Sequence, residues 1–202
     1  MSWELLSVIG TIAFAISGAI VAMEEDYDIL GVYILGVVTA FGGGAIRNLL
    51  IGVPIANLWE QDSLFQIALL SITATFLFPK NLLKYWNKWG NSFDAVGLSA
   101  FAIQGALFAN EMGHGTSACI VAAVLTGSGG GMLRDVLAGR KPLVLRSEIY
   151  ALWAILAGAS IGIGFVNTTI ELVLLFVIIT VLRILSFSLK WRLPHRNLQR
   201  SL

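Results

Sequence analysis

Apolar residues in this chain gather into long runs instead of alternating with polar ones. Seven runs stand out, at residues 3–23, 29–50, 64–78, 93–109, 116–138, 149–166 and 170–189, parted by short stretches that hold most of the charges. Most have the roughly 17 to 25 residues that a helix needs to cross a bilayer, and the third is short. A strand reading fails, because the runs lack a two-residue alternation and exceed the roughly 9 to 11 residues of a membrane-barrel strand. The pattern predicts an all-α polytopic membrane protein with seven transmembrane helices.

Displaced by 87 positions, the sequence falls on itself without a gap. Gly10 meets Gly97, Ala13-Phe14-Ala15-Ile16 meets Ala100-Phe101-Ala102-Ile103, and Gly18-Ala19 meets Gly105-Ala106. In the same register Gly42-Gly43-Gly44 meets Gly129-Gly130-Gly131, Arg47 meets Arg134, and Gly52 meets Gly139. Spans one to three and four to six are read as two copies of one unit, with the seventh helix unpaired. An odd number of crossings per copy turns the second upside down, giving the inverted repeat of many transport proteins. The expected organisation is a first three-helix repeat at 1–79, a cytoplasmic linker at 80–92, the inverted repeat at 93–166, and a seventh helix with a basic tail at 167–202.

Composition narrows the class. Of 202 residues 57% are hydrophobic and only 12% charged, against about 25% charged in a soluble domain, which excludes a soluble enzyme. A net charge of +1 leaves no field to attract nucleic acid. The lone Cys119 reads as a packing residue, and His114 and His195 as solvated side chains without metal-ligand spacing. There is no Walker loop, metal-binding histidine pair or nucleophile elbow, so no enzyme, catalytic residue, metal site or cofactor is expected. The first run lacks a basic leader and is read as structure and not as a cleaved signal.

Basic residues sort by side. Lys80, Lys84, Lys88, Arg140, Lys141, Arg146, Lys190, Arg192, Arg196 and Arg200 fall on one side, and Glu4, Glu60, Asp62 and Glu111 with no lysine or arginine on the other. The positive-inside rule then sets the amino terminus outside the cell membrane and the carboxyl terminus in the cytoplasm. The acidic first loop, Glu24, Glu25, Asp26 and Asp28, sits inside, but acidic residues weigh little in that rule.

The glycine triplets carry the candidate chemistry. They lie in Thr39-Ala-Phe-Gly-Gly-Gly-Ala-Ile-Arg47-Asn48 and Thr126-Gly-Ser-Gly-Gly-Gly-Met-Leu-Arg134-Asp135. Each glycine weakens a helix by about 1 kcal/mol relative to alanine, so three together predict a break. Breaks at matching places in two inverted copies mark a permeation site, where Thr39, Thr126 and Ser128 with freed carbonyls would suit a partly dehydrated monovalent cation. The competing reading is close helix packing at small residues, as expected for Gly158 and Gly162. Arg47 and Arg134 are read as fixed charges flanking the path, with snorkelling to the nearer interface as the alternative. Adjacent residues do not share a helix face, so Arg134 and Asp135 are expected to need other partners, and Arg47 to lie too far from Asp135 for a direct bridge. Asp94 and its equivalent Ser7 read as helix caps, with a vestibule carboxylate as the alternative for Asp94, Glu171 as an N-terminal helix charge, and Ser17 and Gln104 as pore-lining or interhelical hydrogen-bonding residues.

Those repeated motifs, with Gly-x-x-Ala-Phe-Ala-Ile-x-Gly-Ala at 10–19 and 97–106 and Leu-Arg-Asp-Val-Leu-Ala-Gly at 133–139, resemble prokaryotic members of the trimeric intracellular cation (TRIC) channel family. The resemblance implies a homotrimer in the bilayer with one pore inside each protomer. It further implies passive flux of K+ or Na+, room for bound lipid, and glycine-kinked second and fifth helices at the constriction. Carried onto this chain it points to Gly42, Gly43, Gly44, Arg47, Gly129, Gly130, Gly131 and Arg134, while Asn48 stands where the family often has aspartate. Related bacterial sequences have been labelled glycine transporters. A secondary transporter of a small zwitterion such as glycine is therefore the alternative function, and a membrane scaffold the third.

Overall fold

The structure, a computed structural model, describes residues 2–146 and 149–191. The basic tail from Arg192 onward, with His195, lies outside the described residues, as do the side chains of Lys80, Lys84, Lys88 and Arg146. The described residues form helices α1 (Ser2–Glu24), α2 (Ile29–Ile51), α3 (Asp62–Leu77), α4 (Pro79–Glu111), α5 (Thr116–Leu137), α6 (Leu143–Arg146), α7 (Tyr150–Gly162) and α8 (Thr169–Ser188), with a single 3-10 turn at Ile55–Leu58. Five stretches are long and apolar enough to cross a membrane, namely α1, α2, α5, α8 and the Ser92–Glu111 part of α4; α3 and α7 are shorter apolar helices.

Local chemistry sets the helix ends. Asp28 caps α2 by accepting a 2.8 Å hydrogen bond from the Gly31 amide, and α2 stops at Gly52, whose φ of 78° places it in the left-handed region that side chains avoid. Gly139, 87 residues on, follows α5 with a φ of 68°. Thr168 and Glu171 form a capping box at the start of α8, so the helix-start reading of Glu171 holds. Residues 80–92, expected as the cytoplasmic linker, are helical and form the first turns of the 33-residue α4. Pro79 sits in its first turn, where the missing amide costs nothing, and no glycine or proline follows before Gly90.

Helix α5 lies at the centre, packed on α2, α4 and α7, while α1 packs on α2, α3 and α4. Two apolar clusters fill the interior, one around α4, α5, α7 and α8 and the other around α1, α2 and α3. They meet where a Cβ on Gly10 would lie 2.7 Å from Phe101 and one on Gly97 would strike Phe14; the two rings themselves touch edge to face at 5.3 Å. These contacts exchange places under the 87-residue displacement.

Loops also gather by side. Arg140 reaches Glu24 and Glu25, and Tyr27 donates to the Leu137 carbonyl, which puts the α1–α2 and α5–α6 connections at one end. At the other end His114 lies 3.0 Å from the Ile51 carbonyl and Thr116 donates to that of Gly162. This grouping agrees with the charge sorting along the sequence.

Candidate functional site

The two glycine triplets face each other where α2 crosses α5. A Cβ on Gly43 would stand 2.6 Å from the Thr126 carbonyl oxygen, one on Gly129 would stand 3.0 Å from the Gly43 Cα, and one on Gly130 would collide with the Thr39 carbonyl. Gly42 packs in the same way on the Leu133 side chain. The expected breaks are absent: α2 and α5 run as continuous helices through Gly42-Gly43-Gly44 and Gly129-Gly130-Gly131. Close approach of two main chains offsets the poor helix propensity of glycine, and only residues without a Cβ permit that approach. The competing packing reading therefore describes these positions, and Gly158 and Gly162 behave likewise against Ile120 and Thr116.

With the helices intact, no carbonyls are released. The hydroxyls of Thr39, Thr126 and Ser128 each donate 2.6 Å hydrogen bonds to carbonyls one turn earlier, at Leu35, Ala122 and Val124. Thr39 packs on Gly18 and Thr126 on Gly105, another pair of contacts repeated at the 87-residue displacement.

Polar chemistry concentrates at the two arginines instead. Arg134 donates from Nη1 to Ser17 Oγ at 2.5 Å and to Asp94 Oδ1 at 3.1 Å, and from Nε to Asp135 Oδ1 at 2.9 Å. Asp135 Oδ2 accepts from the Leu143 amide at 3.0 Å. Arg47 donates from Nε and Nη2 to Asn48 Oδ1 at 3.0 and 2.7 Å, and Phe108 lies against its guanidinium face at 4.2 Å. Nearby, Gln104 donates to Ser7 Oγ at 2.6 Å. Both arginines are buried at 3% exposure, so neither snorkels to an interface.

Two expectations are corrected here. Arg134 does pair with its sequence neighbour, because the long side chain curls back around the helix and brings its nitrogens to Asp135. Asp94 caps nothing, since α4 begins at Pro79 and leaves Asp94 well inside it; it is an ion-pair partner instead. Ser17 makes the interhelical hydrogen bond that its position allowed, and the structure brings Arg47 and Asp135 into no ion pair among the described residues. The roles of Asp94, Ser7 and Phe108 escaped residue-by-residue reading. The repeat register held the missing signal, because Ser7, Asn48 and Gln104 around Arg47 are the equivalents of Asp94, Asp135 and Ser17 around Arg134.

A cavity of about 500 Å³ opens on the side of Glu4, Asn57 and Glu60 and reaches Ser7, Arg47, Asn48 and Gln104. A smaller one of about 20 Å³, room for roughly one water, shares Arg47, Gln61, Leu64 and Gln104 with it and extends to Gly44 and Thr126. Both cavities thus lie against Arg47 and Gln104, and the smaller one touches Gly44 and Thr126 beside the glycine crossing. Arg134 and its carboxylates involve the residues that flank that crossing on the other end of α5. Among the described residues no cluster of histidine, cysteine, aspartate or glutamate is arranged to hold a metal ion.

Comparison with known proteins gives three kinds of match. A family model described as "Glycine transporter" matches twice, at residues 4–80 and 91–166, two stretches whose starts stand 87 residues apart. The UPF0126 membrane protein YvgT of Bacillus subtilis is 70% identical over 98% of both chains. Among solved structures, a prokaryotic TRIC channel in 0.5 M KCl is 35% identical, with a TM-score of 0.86 over 95% of this chain and 98% of its own. The trimeric intracellular cation channel orthologue from Rhodobacter sphaeroides is 33% identical, with a TM-score of 0.85 over 93% and 97%.

Proposed function

We propose that this chain, which belongs to the prokaryotic TRIC family and to the family of the "Glycine transporter" model, is a channel for monovalent cations, potassium included, working without catalysis or a cofactor. The observation that carries this reading is the match to TRIC channels over nearly the whole chain, at 35% identity over 95% of it in one case. Support from geometry comes from the two cavities that share Arg47 and Gln104, the smaller of which touches Gly44 and Thr126 beside the crossing of α2 and α5, and from the second arginine cluster at Arg134.

In this reading seven helices cross the membrane as a three-plus-three inverted repeat followed by α8, and three protomers assemble, each with its own pore. The amino terminus faces outward and the basic end of the chain the cytoplasm. The pore follows α2 and α5, and ions pass when these helices part or rotate at Gly43, Gly129 and Gly130. Side-chain oxygens and water serve the ion, with Arg47 and Arg134 limiting leak. Reconstitution tests this directly. Single-channel currents in a potassium gradient should reverse near the potassium equilibrium potential; saturable uptake of glycine without such currents would overturn it.

A second reading, a transporter of a small zwitterion such as glycine, is favoured by one observation besides the family description. The cavity sets Arg47 deep and the carboxylates Glu4 and Glu60 elsewhere on its lining, a charge arrangement complementary to an amino acid. Radiolabelled glycine uptake separates the two.

A further inference from the structure

The two arginine clusters occupy equivalent positions but carry different charge. Beside Arg134 stand two carboxylates, Asp94 and Asp135. Their equivalents beside Arg47 are the neutral Ser7 and Asn48, and Ser17 is matched by the neutral Gln104. No carboxylate among the described residues comes within ion-pair distance of Arg47. Its Nη1 has no hydrogen-bond partner although the side chain is 97% buried by its 3% exposure, and its other two nitrogens share one amide oxygen. A buried guanidinium without a counter-charge is costly, and the usual remedy is a paired carboxylate. At Arg134 the chain supplies it, whereas at Arg47 the chain supplies a 500 Å³ cavity in its place.

We propose that this cavity binds a small monocarboxylate, which takes beside Arg47 the place that Asp94 and Asp135 take beside Arg134. A planar carboxylate takes the guanidinium fork by displacing the Asn48 Oδ1 that now holds Nε and Nη2, since Nη1 itself is closed to solvent, and the Asn48 amide nitrogen then becomes a further donor. Val8, Val53 and Leu64 line room for a short hydrocarbon, while Glu4 and Glu60 on the same lining repel multiply charged anions such as phosphate. Binding neutralises the positive charge of Arg47. The site stands apart from the channel reading, since binding is measurable whether or not the protein conducts.

The test uses the full chain purified in detergent and titrated with sodium acetate against sodium chloride at equal ionic strength. Acetate should raise the melting temperature and bind with a Kd of about 1 mM, as expected for so few atoms. Arg47→Gln should weaken binding by about tenfold or more. Asn48→Asp, which gives Arg47 a carboxylate of its own, should melt no lower than the parent and bind acetate at least about tenfold more weakly, so the proposal stays testable if Arg47→Gln fails to fold. Glycine binding as tightly as acetate supports the same site, and tighter binding adds the lining glutamates as an ammonium contact. The proposal is overturned if neither acetate nor glycine binds, if chloride or phosphate matches acetate, or if either variant binds like the parent. Acetate binding in a protein that passes no cations would sink the channel reading and leave the site intact.

Discussion

Asp94 and Arg134, on α4 and α5, meet at 3.1 Å with both side chains buried, and the Asp94 Oδ2 oxygen has no hydrogen-bond partner. With Asp135 in place, the cluster holds two carboxylates and one guanidinium. Removing the cation should therefore hurt more than removing one anion. Arg134→Gln leaves two carboxylates facing each other and should cost about 3 to 5 kcal/mol. Asp94→Asn keeps the pair between Arg134 and Asp135 and should cost no more than about 1 to 2 kcal/mol. Denaturation in detergent ranks them; the reverse order would mean that Asp135 does not neutralise Arg134.

The crossing of α2 and α5 makes a second test. Gly130→Ala drives a methyl into the Thr39 carbonyl, a main-chain atom that cannot step aside, and should push the helices apart. A loss of about 1 to 3 kcal/mol is expected, together with altered single-channel conductance. Gly44→Ala meets nothing closer than Arg47 Nη2 at 3.8 Å and should be neutral or stabilising by up to about 1 kcal/mol. Equal effects of the two substitutions would remove the crossing from the mechanism.

How the sequence misled at the glycines is instructive. The long apolar runs and the 87-residue register were legible, and the runs recur as helices α1 to α5, α7 and α8, five of them long and apolar enough to cross a membrane. Intrinsic propensity alone argued for broken helices at Gly42-Gly43-Gly44 and Gly129-Gly130-Gly131, because one strand of sequence does not announce which other helix will lie against it. The contact that rescues those turns is tertiary. For the same reason Asp94 read as a cap: nothing local in its neighbourhood names Arg134, and the extension of α4 back to Pro79 was hidden by a lysine- and tryptophan-rich composition that resembles a loop.

Orientation is open to chemical labelling. The single Cys119 is buried, so background reaction is low. Cysteine in place of Glu25 should react with a membrane-impermeant maleimide only from the cytoplasmic side, and cysteine in place of Glu60 only from the outside. Both positions are exposed loop residues, and they lie on opposite sides of the sequence-based topology. Labelling of both from one side would reject that topology.

The first-loop carboxylates bear on the same end of the molecule. Arg140 donates from Nε to Glu25 at 2.6 Å and from Nη1 to Glu24 at 2.9 Å, joining the connection after α1 to the one after α5. Burial works against the charge on Arg140, but the hydrogen bonds and fields of Glu25 and Glu24 outweigh it and hold its pKa above the ordinary arginine value. A raised folded-state pKa contributes stability that is present below the unfolded pKa and fades only as pH rises through the folded one. Because both lie far above neutrality, the arginine's share should stay constant over about pH 6 to 9. All three side chains are about one-third exposed, so water and salt screen the pairs. Arg140→Gln should accordingly cost only about 1 kcal/mol, most of it vanishing at high salt. A larger loss that persists in high salt would mean that the two connections are held by packing around Arg140 and not by its charge.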